Sequence, residues 1–142
     1  MCTFAVQLLE SVRSDGKLRF YKLLKDGVAP FDLFYEKLCD DKKHKKDILQ
    51  IFAMMDYMAE TNAILPKKKV NSIKDGDKVI AIEFKKNDLR VYCLKQDPNV
   101  FVITGGYKKD QDNDIKSLKK LLKQNKNLLE ILQQVESNHT EK

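Results

Sequence analysis

Three short runs rich in β-branched and aromatic residues, 78–84, 89–94 and 100–104, sit so close together that their connections leave little freedom. Lys85-Lys86-Asn87-Asp88 and Lys95-Gln96-Asp97-Pro98-Asn99 are turn-type clusters, and strands joined by connections this short are antiparallel neighbours. The chain is therefore organised around a three-stranded meander. With Asn87-Asp88 as a two-residue turn, side-chain alternation puts Lys85 opposite Arg90 and Glu83 opposite Tyr92 on one face. Phe84 then meets Val91, and Ile82 meets Cys93, on the other. The second set reads as core and the first as a polar patch. The last run ends in Gly105-Gly106-Tyr107-Lys108-Lys109, which the meander returns to the neighbourhood of Arg90.

Charge marks the same stretch. Of 27 Lys+Arg and 21 Asp+Glu, residues 1–66 carry ten of each sign and residues 110–142 carry six of each. Residues 67–109 carry eleven against five, so the whole formal excess of +6 lies on the sheet segment. Confinement to one element favours a site for a polyanion over a merely solvated strand face. The triple lysine Lys67-Lys68-Lys69 gains meaning only if it lies beside that face. At 142 residues the chain suits one domain with a proper core. It has no secretory h-region and no apolar run of membrane-spanning length, so the expectation is a soluble, cytoplasmic protein without a membrane role. Cys2, Cys39 and Cys93 are odd in number and lack metal or redox spacing; they suggest a reducing compartment, no metal and no cofactor. Cys93 reads as a small apolar residue on the inner strand face.

Residues 3–12 and 17–24 flank Arg13-Ser14-Asp15-Gly16 and read as a hairpin, with a helix over 3–12 as the alternative. Gly27 breaks the chain, and Pro30 opens a helix through about Cys39 that repeats Phe31, Phe34, Tyr35 and Leu38. A second helix over 42–60 carries Ile48, Ile51, Phe52, Met55 and Met58 or Ala59 on one stripe, which is core against the sheet. His44, inside DDKKHKK, has no ligand or nucleophile spacing and receives no catalytic or metal role. Residues 70–73 are a short strand or loop, and Asp75-Gly76 is a turn. A helix capped by Asp112 or Asn113 runs through Ile115, Leu118, Leu121 and Leu122. Its pattern resumes at Leu128, Leu129, Ile131, Leu132 and Val135, as one long helix or two, before a frayed tail over 137–142. This leucine-rich half either covers its own core, pairs with another copy in a homo- or hetero-oligomer, or binds a partner.

Several segments in this order carry a family resemblance. They are LRFYKLLKDGVAPFDLFYEKL from Leu18, the pieces Glu83-Phe84-Lys85 and Leu89-Arg90-Val91-Tyr92, and Gly105-Gly106-Tyr107-Lys108-Lys109-Asp110-Gln111 leading into a helix. The chain resembles the RelE/HigB-type toxins of bacterial toxin–antitoxin modules, in their phage-derived, HigB-like branch. The resemblance covers about two-thirds of the chain. It implies an α+β, RelE-like core over 17–110, with two N-terminal helices packed on a twisted antiparallel sheet. Residues 1–16 are then an extension or extra strand, and 111–136 a C-terminal helical segment. It also implies an mRNA interferase acting on ribosome-bound message and neutralised by a cognate antitoxin of helix-turn-helix type. Where many members carry His-Gly-Phe, this chain has Thr104-Gly105-Gly106, losing a candidate acid or base and an aromatic.

Metal-independent RNA cleavage uses the 2′-hydroxyl as nucleophile, leaving a cyclic phosphate and a free 5′-hydroxyl. The protein must orient that hydroxyl, stabilise charge on the phosphate and help move two protons. On this reading Arg90 is a bidentate phosphate clamp, and Lys85 stabilises the phosphate or transfers a proton. Lys108 and Lys109 hold the backbone around the scissile bond, and Glu83 and Tyr107 are base and acid. Tyr92 stacks a base or packs at the sheet edge, while Lys67, Lys68, Lys69 and Lys86 extend the groove. Two other readings stay open: a module that docks RNA or ribosome without cutting, and a regulatory partner acting through the C-terminal helix.

Overall fold

The computed structural model describes residues 3–132 and 134. Its strands are β1 (Phe4–Leu8), β2 (Arg19–Lys25), β3 (Val70–Asp75), β4 (Lys78–Lys86), β5 (Leu89–Gln96) and β6 (Asn99–Tyr107). Its helices are α1 (Pro30–Leu38), α2 (Lys42–Thr61) and α3 (Gln111–Gln124), the last entered through a 3-10 turn at Lys108–Asp110. The meander forms with the expected register: Lys85 pairs with Arg90, Glu83 with Tyr92, Phe84 with Val91 and Ile82 with Cys93. Asn87 takes the left-handed conformation, φ 51°, that a tight turn between twisted strands demands and asparagine tolerates.

The sheet has six strands in the order β1-β2-β6-β5-β4-β3. It is mixed, because β2 and β6 run parallel, and this corrects the wholly antiparallel sheet expected above. The cause is the path of the chain. After β2, α1 and α2 carry it across one face to β3 at the far edge, and three reversals bring β6 back beside β2 in the same direction. The N-terminal extension does add a strand, antiparallel to β2. The connection over 9–18 is longer than a hairpin turn because Leu9 and Val12 tuck into the core.

Each helix starts where its chemistry allows. Pro30 occupies the first turn of α1, and the Asp41 side chain caps α2 by accepting the Lys43 N–H at 2.9 Å. Helix α3 begins at Gln111 rather than behind Asp112 or Asn113, because the 3-10 turn already provides a helical start. It ends at Gln124, Asn125 leaves helical geometry, and the chain is helical again by Leu128, which gives two pieces and not one long helix. Val135, the tail from Ser137 and Cys2 lie outside the described residues.

Both faces of the sheet are covered. Phe20, Phe84, Val91 and Cys93 pack against Phe31, Ile48, Phe52 and Met55 of α1 and α2. On the other face Tyr21, Tyr92, Leu94, Phe101 and Ile103 pack against Leu118, Leu128 and Leu132. The expected open polar patch is therefore roofed by α3, since residues 89–94 and 100–103 are apolar at both parities and each face needs a cover. The C-terminal leucines cover the protein's own core. Burial pushes the Cys93 thiol pKa up, as its place on the inner face requires. Among the described residues no helix is long and apolar enough to cross a membrane.

Candidate nucleic-acid interface

The sequence-selected polar residues separate into a buried group and an open one. Glu83 is 1% exposed and accepts both Gln111 Nε2 contacts from α3 at 3.1 Å, with Asn71 Nδ2 at 3.4 Å. Arg90 is 7% exposed, and its Nη1 donates to the carbonyls of Asn87 and Leu89, both at 2.8 Å. That guanidinium braces the β4–β5 turn instead of offering an open fork. Tyr92 is fully buried, so it is neither a stacking platform nor an edge residue. Its hydroxyl has no hydrogen-bond partner, and burial, then the charges of Asp114 and Glu83, raise its pKa.

Asp114 closes this cluster from α3. Its Oδ2 is buried without a partner, and burial followed by the charge of Asp110 raises its pKa. A carboxyl whose pKa rises on folding favours the protonated form, so its contribution is present at low pH and lost as pH climbs through the folded pKa. Ionised Asp114 therefore costs stability at neutral pH. Asp114→Asn is expected to raise Tm at pH 7 by roughly 2 °C, the modest size reflecting partial exposure. In thermal melts at acid pH that gain should vanish.

The open group gathers at the end of the sheet where β3 begins and β4 and β6 finish. Lys85 and Lys86 close β4, and the Lys85 N–H donates to the Lys69 carbonyl at 2.8 Å, which sets exposed Lys67, Lys68 and Lys69 beside them. The Lys108 N–H donates to Asp88 O at 2.7 Å, so Lys108 and Lys109 flank the β4–β5 turn. Asn87 Nδ2 donates to Asp47 Oδ1 at 3.0 Å, drawing the start of α2 to the same place with exposed Lys42, Lys43, Lys45 and Lys46. A cleft of about 730 Å³ opens here, lined by His44, Asp88, Tyr107, Lys108 and Lys109.

Tyr107 does not meet Arg90. A bulge between Tyr92 and Cys93 inserts one extra residue in β6, and a one-residue shift exchanges the faces of everything beyond it. Gly106 consequently sits opposite Arg90, while Tyr107 turns to the α1/α2 face. There its ring lies 5.7 Å from that of Phe34 and 5.2 Å from that of His44. The two glycines, Gly105 and Gly106, also find a reason in packing. A Cβ at Gly105 would enter the Phe34 ring, and one at Gly106 would meet the Asp114 carboxylate.

His44, to which sequence spacing gives no role, also lines this cleft. Its Nδ1 lies 3.0 Å from Asp41 Oδ2, and its side chain is 21% exposed. The available signal was the spacing of Asp41 and His44, three residues apart across a helix start, which places a carboxylate beside an imidazole. No family model, no curated protein and no solved structure matches the chain.

Proposed function

We propose that this protein binds single-stranded RNA at the basic end of its sheet and cuts it through 2′-hydroxyl attack, as a toxin-type endoribonuclease. The observation that carries the reading is the clustering of cations at one end of the sheet: Lys108 and Lys109 line the cleft, and the basic segments 42–46, 67–69 and 85–86 are held at the same end by the Asn87–Asp47 and Lys85–Lys69 hydrogen bonds. Such a field suits a phosphodiester backbone, and lysines on separate elements can follow its path. The resemblance to HigB-like toxins supports the same reading, as do two helices packed on one face of a sheet whose last strand leads into a basic turn. Lys108 and Lys109 hold phosphates at the cleft, with Lys67, Lys68, Lys69, Lys85 and Lys86 extending the track. Ribosome-bound mRNA in the cytoplasm is the substrate this proposal names.

A neutralising antitoxin is the protein partner that accompanies it. One surface away from the cleft favours such a partner. A groove of about 630 Å³ between β4, β5 and α3 has an apolar floor that includes Ile80, Leu122 and Leu129, and Lys78, Lys95, Lys119, Lys123 and Lys126 stand around it. It suits an acidic amphipathic segment.

Fluorescence anisotropy with a single-stranded RNA at several salt concentrations tests the binding. Log affinity should fall linearly with log salt, and Lys108→Ala/Lys109→Ala should lower the slope by about 1.4, or roughly 0.7 per lost phosphate contact on a single strand. Cleavage is read as new 5′-hydroxyl ends. Absence of salt-sensitive RNA binding by the folded protein overturns the proposal. Binding without new ends assigns the same surface to a docking module.

A further inference from the structure

We infer that His44 is the proton-transfer group of the cleft and that Asp41 is its positioning residue; this rests on the RNA-cleaving reading above. His44 stands in the first turn of α2, where the Asp41 carboxylate serves two groups at once: Oδ1 accepts the Lys43 N–H at 2.9 Å and Oδ2 lies 3.0 Å from His44 Nδ1. A ring nitrogen engaged by a carboxylate is held as the N–H form, which fixes the tautomer and leaves the other nitrogen, Nε2, free to accept a proton. Tyr107, 5.2 Å away at 56°, supports the ring from the sheet side. The imidazole is neither swallowed by the core nor loose in solvent, and it lines the same cleft as Lys108 and Lys109.

The step balances with His44 and solvent water. Nε2 takes the 2′-hydroxyl proton as the 2′-oxygen bonds to phosphorus, and the P–O5′ bond breaks. The departing 5′-oxygen takes a proton from water in the open cleft, leaving a 2′,3′-cyclic phosphate and a 5′-hydroxyl. His44 then returns its proton to solvent. Lys108 and Lys109 offset the negative charge on the phosphoryl oxygens as it grows.

The charged and titratable groups around His44 come from every neighbouring element. They are Asp41, Lys43, Lys45 and the buried Asp47 along its own segment, Asp88 from the β4–β5 turn, and Tyr107, Lys108 and Lys109 from the end of β6. The test measures RNA affinity and single-turnover cleavage on this 142-residue chain. His44→Ala should keep its RNA Kd within about threefold and its circular dichroism, yet cleave about 100- to 1,000-fold more slowly, the range of a lost general base. Added imidazole should restore part of that rate. Asp41→Asn keeps an oxygen to cap α2 but removes the carboxylate that holds Nδ1 in its N–H form. It should cleave roughly tenfold more slowly while its RNA Kd and circular dichroism stay unchanged, which a cap alone would not do. Wild type that cleaves while His44→Ala cleaves equally fast overturns this inference and leaves the ribonuclease reading standing. Wild type that binds RNA in a salt-sensitive way but never cuts it overturns both the inference and the catalytic reading, leaving RNA binding.

Discussion

Arg90→Ala is expected to lose roughly 2–4 kcal/mol of folding stability, seen as a lower urea midpoint at unchanged m-value. The side chain is 7% exposed, and its Nη1 donates to two carbonyls, Asn87 O and Leu89 O, at 2.8 Å each. Alanine deprives both of a charged donor and empties the space beneath α3. Asn87 sits at φ 51°, so the turn it belongs to needs that brace. Arg90→Met separates the two contributions: it refills the space while leaving the carbonyls without their donor, and should recover about half of the loss. At a temperature where Arg90→Ala remains folded, RNA affinity should change little, because the cations of the cleft belong to other segments. Full stability combined with lost cleavage would instead return Arg90 to the role of phosphate clamp.

That prediction reverses the weight the sequence places on Arg90, and the reason is physical. Turn chemistry at Asn87-Asp88 is local, so the register of β4 on β5 is legible residue by residue. The stripe from Ile48 to Ala59 is legible for the same reason, since helical periodicity needs no knowledge of the rest of the chain. What covers the second face is not local. Lys85, Glu83 and Arg90 near the turn suggest a wet surface, while Tyr92, Leu94, Phe101 and Ile103 further along suggest a buried one. The structure resolves this by roofing the face with α3 and leaving the lysines of the strand ends outside. The parallel pairing of β2 with β6 depends on where two helices cross, and no property of residues 19–25 announces it. A single bulge decides which face Tyr107 joins, and nothing in Ile103-Thr104 marks it as the bulge. His44 is hidden for a similar reason. It reaches the cleft only because α2 packs so that its first turn meets the end of β6, a contact between residues more than sixty positions apart.

Gly16→Ala should be the most damaging single methyl in the loop before β2. The sequence presents Asp15-Gly16 as a turn dipeptide, which would make the glycine a matter of backbone freedom. Its φ is not positive, however, and the constraint is proximity: a Cβ at Gly16 would run into the backbone carbonyl of Ala59 in the last turn of α2. That carbonyl also accepts the Leu18 N–H at 3.0 Å, and Leu18 and Ala59 are both 0% exposed. Neither side can yield without moving a packed element. The expected loss is about 2–4 kcal/mol in urea denaturation. Asp15→Ala, which removes an exposed ion pair with Arg13, should leave the urea midpoint close to that of the wild type. Wild-type stability in Gly16→Ala would mean that the loop, not α2, gives way. The functional consequence follows from the rigidity of α2. Its 20 residues span about 30 Å, with the Ala59 contact near one end and His44 near the other. A shift that makes room for the methyl tilts the first turn and lengthens the 5.2 Å separation of His44 from Tyr107. Cleavage by Gly16→Ala should therefore fall further than its unfolded fraction accounts for. RNA affinity, carried largely by lysines on the sheet end, should follow the folded fraction alone.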